Sequence, residues 1–411
     1  MGSTPTCWGL WIIGPQVLAT VRAVRTPDCA ANRRYTGGPV NVATLIECLD
    51  RLAPVEFAAE WDNVGLLAGS SRWPLTSVLL TNDLTQDVVD EAIESGANAI
   101  IAYHPPIFEP LKAVTDGDEK SRLILESIRA GIALYSPHTA LDAAPGGVND
   151  WLVGAFGDGD VAALEHHEHL PATEANKVVT MCPAHAVSAV HQAMSAAGAG
   201  IIGDYAQCSF RLKGEGTFFG GEAASPAVGV KGRVEHVEET RLEMVCGDAA
   251  LANVLEALRR AHPYEEPPIE VYPLRARPRT RIGQGRMVRL REALALDAII
   301  DRLKVHLGVA HLNVGLGRGA PDRYSAAAVC AGAGGSLLDA ALDAGAELFL
   351  TGEMRHHDVL DAIVRGCTII VAGHTETERG YLPVLAGRLR TLLPDVRFEV
   401  SQRDAPPLTM R

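Results

Sequence analysis

The feature that most limits what this chain can fold into is a repeat within it. Residues 92–104 align position by position with residues 341–353, which sets His104 opposite Glu353. Farther on, residues 131–142 align with residues 366–378 after one extra residue, pairing His138 with His374 and Asp142 with Glu378. Such self-similarity implies two copies of one supersecondary unit, related by a pseudo-twofold axis. In the first copy the pattern predicts a helix over 42–52, a strand over 77–81, a helix over 86–94, a strand over 99–103, a helix over 119–129 and a strand over 132–135. In the second it predicts strands over 326–330, 348–351 and 368–372, with helices over 336–343 and 358–363. Strands alternating with helices give an α/β fold: two related halves facing each other, each a largely parallel sheet covered on both faces.

The middle of the chain differs. Strand 178–181, helix 185–197, strand 205–211, a glycine-rich turn over 214–221, strand 238–245, helix 249–261 and strand 269–272 follow the β-α-β, β-α-β order of a ferredoxin-like sandwich. At 411 residues there is room for two or three domains. The boundaries expected are an arm at 1–39, a first half at 40–170, an inserted α+β module at 175–275 and a second half at 282–411. The two halves together form one discontinuous unit. Stretches 165–174 (with His166, His167 and His169) and 275–281 read as polar linkers. The arm carries its basic residues after its apolar stretch, the reverse of a secretory signal, so it is expected to be disordered or an over-annotated start.

The net charge of −13 disfavours nucleic acid or an anionic membrane as the main partner, since both reward clustered positive charge. No stretch is long and apolar enough to read as a membrane span. Eight cysteines lie scattered without a C-x-x-C pair, which argues against a zinc ribbon and for reduced thiols in the cytoplasm.

Each half places a His and a carboxylate four residues apart just after a strand: His138 with Asp142, and His374 with Glu378. On a helical turn that spacing puts both side chains on one face. His104 and Glu353 end two further strands, and ligands of open parallel sheets bind beyond the strands' carboxyl ends. A lone His there is more often capped or satisfied in a core. The doubled pattern makes His104, Asp142, His374 and Glu378 metal ligands, with His138 and Glu353 as partners that orient them or carry protons. Mixed imidazole and carboxylate donors suit zinc, iron, manganese or nickel, and two divalent ions sharing a carboxylate would be natural. The glycine-rich segment 331–336 suggests an anion site at Gly334 and Ser336, though tight turns alone would account for its glycines. Arg318 is a candidate for meeting a charged substrate.

These motifs carry a resemblance. Residues 61–66 (Trp-Asp-Asn-Val-Gly-Leu), 103–108, 136–142, 351–353 and 373–379 resemble the Ngg-interacting-factor-three-like family, also labelled GTP cyclohydrolase I type II homologues. The resemblance implies a dinuclear metal centre on His104, Asp142 as a bridge, His374 and Glu378, in a homo-hexameric ring. Tyr103 stands where many members have a second histidine. Its phenolate could then be a ligand, or that ion could be weakly held or absent. The middle module is similar to the trimeric cation-tolerance and nitrogen-regulatory signalling proteins. The function expected is metal-dependent hydrolysis of a small phosphorylated or nucleotide-like substrate. The alternative is a non-enzymatic metal-binding scaffold or regulator that docks a partner through the module.

Overall fold

The computed structural model describes residues 40–408, so the expectation for the arm at 1–39 lies outside the described residues. The chain runs through α1 (Val42–Leu52), β1 (Gly65–Ala68), β2 (Ser77–Thr81), α2 (Gln86–Ser95), β3 (Ala99–Ala102), α3 (Glu119–Arg129), β4 (Ala133–Ser136), α4 (His138–Ala143), α5 (Val148–Val153) and β5 (Gly159–His169). There follow β6 (Asn176–Pro183), α6 (Val187–Ala196), β7 (Phe210–Phe219), β8 (Val234–Cys246), α7 (Asp248–Ala261) and β9 (Ile269–Pro273). The last part holds β10 (Arg277–Leu294), α8 (Leu296–Leu307), β11 (Asn313–Gly315), β12 (Tyr324–Ala333), α9 (Leu338–Asp343), β13 (Leu348–Glu353), α10 (His356–Val364), β14 (Thr368–Val371), α11 (Glu376–Arg379), α12 (Leu382–Leu392) and β15 (Arg397–Val400).

Local chemistry explains the clearest of these. α1 starts at a capping box between Asn41 and Thr44, and its buried Val42, Leu45, Cys48, Leu49 and Leu52 recur at helical spacing. α2 begins on the Thr85 side chain and stops at Gly96, whose φ of 68° closes it in the left-handed region.

The repeat is visible in the sheets. One has the order β1-β4-β3-β2-β15 and the other β11-β14-β13-β12-β10-β5. In both, three parallel strands are flanked by a short antiparallel one, β1 on β4 and β11 on β14. The copies then exchange material. β15, from the end of the described chain, pairs parallel to β2 in the first sheet, while β5, from the first part, pairs with β10 in the second. One face of each sheet contributes to a common core, with Leu80, Ile101 and Tyr135 from one and Val329, Leu350 and Ile370 from the other. The outer faces are covered separately, by α2 and α3 and by α9 and α10.

Arg286 of β10 is buried where the two parts meet. Its guanidinium donates to Asp150 at 2.6 Å and to the carbonyls of Gly283, Gly285, Ala143 and Ala144.

The module's sheet, β7-β8-β6-β9, is antiparallel throughout, in ferredoxin-like order, with α6 and α7 packed on one face. Three local expectations are corrected. Residues 214–219 are the second half of β7 rather than a turn, because each pairs with a residue of β8 and the ladder satisfies the glycine backbones. Residues 165–169 and 277–281 are not linkers: they belong to the ends of β5 and β10, where 277–279 pair with 167–169 and 283–284 with 165–166 across a bulge. The polarity that suggested a linker belongs to a ribbon with one face in solvent, where His167 packs on Phe57.

Candidate metal centre

The strand ends of both sheets converge. His104 follows β3, His374 follows β14, and Glu378 lies on α11, one helical turn beyond His374. Glu378 is buried, and its two oxygens face different sheets: Oε2 lies 3.4 Å from His104 Nε2 and Oε1 3.3 Å from His374 Nε2. The imidazole centroids are 5.3 Å apart. Among the described residues, His104, His374 and Glu378 form the group whose ligand atoms sit close enough to hold one ion.

A second carboxylate backs each imidazole. His104 Nδ1 donates to Asp83 at 2.9 Å, and His374 Nδ1 lies 3.2 Å from Glu353 Oε1. Both rings are thereby oriented with Nε2 inward, the arrangement that raises ligand basicity in metal sites. Burial opposes charge on His104, yet the hydrogen bonds to Asp83 and Glu378 outweigh it and lift its pKa to about 10. The Glu378 hydrogen bond raises His374 to about 9 against its own burial. Burial works against Glu378 as an anion, but the two imidazoles hold it down at about 2.

Asp142 stands beside this group. Its carboxylate accepts from the buried Tyr103 hydroxyl at 2.5 Å, and burial raises it to about 6, with Glu378 adding repulsion and His138 opposing the rise. Burial and the charges of Asp142 and Glu378 push the Tyr103 phenol well above its ordinary value, so it is held neutral, keeping its proton and donating it in the hydrogen bond to Asp142. The carboxylate that faces both imidazoles is thus Glu378 rather than Asp142. His138 lies with its ring 5.4 Å from that of His104, and its Nδ1 donates to Asp62 at 2.8 Å.

Two features favour a cation. Gly332 has φ +61°, and a Cβ there would meet Glu378 Oε1 at 2.6 Å and His374 Nε2 at 3.2 Å, so backbone closes over the ligands only because the residue is glycine. Asn82 is wholly buried with Nδ2 donating to Glu378 Oε2 at 3.2 Å, and its Oδ1 has no partner. An orphaned buried acceptor beside two imidazoles and a carboxylate is the donor set a transition metal takes.

The remaining candidates are placed differently. The Gly334 N–H is engaged by Thr351 Oγ1 at 2.9 Å and that of Gly332 by Thr377 Oγ1 at 2.9 Å, so these amides are not free to cradle an anion. Ser336 is exposed in the turn ahead of α9. Arg318 is remote. Its N–H donates to Ile363 O at the end of α10, and its neighbour Gly317 binds Thr368, the first residue of β14, so it sits at the amino end of the sheet, opposite the centre. The reading from sequence missed Asn82, Asp83 and Asp62. The first two follow β2 as His104 follows β3, so the strand-end rule applied to β2 would have found them.

A duplicated α/β scaffold with a His/Glu metal-binding group at its joined strand ends is the class of protein defined here. The chain belongs to the Duf34/NIF3 (NGG1p interacting factor 3) family, which it matches over residues 40–407. It is 34% identical over 361 residues to the GTP cyclohydrolase 1 type 2 homolog of Halalkalibacterium halodurans, covering 87% of this chain and 95% of that one. It is 34% identical over 399 residues to human NIF3-like protein 1, covering 95% and 97%. Among solved structures, a Bacillus cereus protein related to NIF3 has a TM-score of 0.60 at 34% identity, covering 91% of this chain and all of that one (100%). Staphylococcus aureus protein SA1388 has a TM-score of 0.71 at 26% identity, covering 91% and 99%.

Proposed function

We propose that this protein is a metal-dependent hydrolase of a small phosphorylated or nucleotide-like substrate, using two divalent ions of zinc, iron, manganese or nickel. The observation that carries the reading is Glu378, whose oxygens each meet an imidazole backed by a further carboxylate. His104, His374 and Glu378 would hold one ion, and Asp142 with Glu378 would hold the second. Divalent ions bound there would lower the pKa of water and offset charge on the reacting group. The protein's own part is positional. Asp62 accepts a hydrogen bond from the Nδ1–H of His138, which leaves Nε2 as the ring nitrogen that would accept a proton from an attacking water. Glu353, more exposed, would pass protons between His374 and solvent. Tyr103, whose hydroxyl donates to Asp142, keeps that carboxylate oriented among buried groups.

The test is turnover of a panel of nucleotides and phosphoesters by protein loaded with Mn²⁺, Zn²⁺ or Fe²⁺. Wild type should be active and Asp142→Ala at least 100-fold slower; equal inertness of the two on every substrate would remove the reading. We place the protein in the cytoplasm as a homo-hexameric ring, for which light scattering gives the mass. Among the described residues no helix is long and apolar enough to cross a membrane, and Cys48, Cys182, Cys246 and Cys367 are buried free thiols.

One observation favours the non-enzymatic reading. On the module's β7 and β8, Phe210, Leu212, Phe219 and Val234 are all more than half exposed, and Leu212 and Phe219 line a cleft of about 590 Å³. Metal binding without turnover, with one protein reproducibly retained by wild type and lost by Phe210→Asp, would favour that reading.

A further inference from the structure

Two exposed aromatic rings stand beside the centre. Trp61 is 65% exposed and Phe108 46%, and their ring centroids lie 6.0 Å apart at 52°. Trp61 is 6.1 Å from the His138 ring, which is 5.4 Å from that of His104. The indole therefore lies two ring contacts from a candidate ligand, and at that exposure its two faces cannot both be covered.

Large exposed aromatics are commonly loosely held, and these are not. Asp62, next to Trp61, accepts from His138 Nδ1, from Thr139 N at 3.1 Å and from the Thr139 hydroxyl. Asn63 Nδ2 donates to the carbonyl of Ile107, the residue before Phe108, and Ala59 N donates to Thr139 Oγ1 at 3.0 Å. The segment bearing Trp61 is thus tied on one side to the start of α4 and on the other to the segment bearing Phe108. The backbone that carries the two rings is tied to α4 and to itself, and the rings lie against each other and beside His138 without being covered. Uncovered π-faces on anchored backbone, beside polar side chains, suit a flat ring, because stacking rewards a rigid partner and tolerates varied ring substituents.

We infer that Trp61 and Phe108 form a platform for a planar heteroaromatic ring, the non-reacting end of a substrate whose polar, hydrolysable group reaches His104 and His374. This rests on the hydrolase reading for what happens at the far end, but ring binding itself does not need turnover. An aliphatic phosphoester would leave the platform bare and forgo its contribution.

The experiment is calorimetric titration of the full-length Mn²⁺-loaded protein with GMP, UMP and flavin mononucleotide, and with ribose 5-phosphate, which lacks the ring. The ring-bearing probes should bind wild type more tightly than ribose 5-phosphate. Trp61→Ala should weaken their binding by about tenfold or more, and Trp61→Phe should restore most of it. Binding of ribose 5-phosphate should be the same in all three proteins. The platform is overturned if no ring-bearing probe outbinds ribose 5-phosphate on wild type, or if Trp61→Ala binds them equally. Ring discrimination without turnover would sink the hydrolase reading alone. Turnover with no effect of Trp61→Ala on ring binding would sink the platform alone.

Discussion

Glu378 decides what the centre does at the scale of single residues, since one carboxylate serves two imidazoles from different sheets. In the metal-free protein the pKa values of His104 and His374, raised to about 10 and about 9, contribute stability that is fully present below about pH 6.5. It is lost as pH rises through 9 and 10. Glu378, depressed to about 2, contributes stability present above its ordinary 4.5 and lost as pH falls toward 2. Chemical denaturation of the chelated protein should therefore show this contribution as a plateau between about pH 5 and 6.5, declining toward both extremes. A metal that takes both Nε2 positions must displace their protons. Calorimetry at pH 7 in buffers of different ionisation enthalpy should then show proton release on metal addition, and no buffer dependence would mean that the imidazoles are not ligands. Asp83 acts through His104 rather than on the ion, so Asp83→Asn should weaken metal binding about 10- to 100-fold while leaving the fold intact, measured by competition with a chromophoric chelator.

Among the elements, legibility in the sequence followed the strength of local signals. α1, β2 and α3 span the residues their patterns predict, because side-chain caps fix the helix starts and β2 is continuously apolar and buried. β1 and β11 have only four and three residues and are held by partners distant in sequence, so no local pattern announces them. The ends of β5 and β10, within the stretches 165–174 and 275–281, looked like linkers because they are rich in charged residues and imidazoles. His104, His374 and Glu378 were legible because the repeat gives each a titratable counterpart just past a strand (Glu353, His138 and Asp142), whereas Asp83 has no counterpart that the alignment draws out. The glycine-rich segment 331–336, the end of β12 and the turn after it, gave the wrong emphasis. Its glycines suggested an anion cradle at Gly334, but the position that bears on the centre is Gly332, whose absent side chain makes room for Glu378 and His374. Gly332→Ala should therefore reduce metal binding at least tenfold with little change in far-ultraviolet circular dichroism. Unchanged affinity would show that the ligands can move aside.

For the whole molecule, the junction between the two copies rests on Arg286 and on the exchanged strands. Replacing Arg286 by Met would remove the guanidinium from Asp150, which keeps only the Gly146 N–H, and from four backbone carbonyls, which we expect to cost about 3 kcal/mol, read as a lower urea midpoint. Asp404 adds a tie near the end of the described chain, accepting from the backbone N–H of Asn82 at 3.0 Å and from Arg379 Nε and Nη2, each at 3.0 Å.

The exchange of β15 has a consequence for biosynthesis. While the ribosome is still making α12, β2 lacks its outer neighbour, and His374 and Glu378 have only just been added. A nascent chain at that stage carries an unguarded sheet edge and a half-built cation trap. The three side chains that could hold an ion therefore come together only late, and any delay before the final strand docks is the interval in which the growing polypeptide is most open to mispairing with another copy of itself.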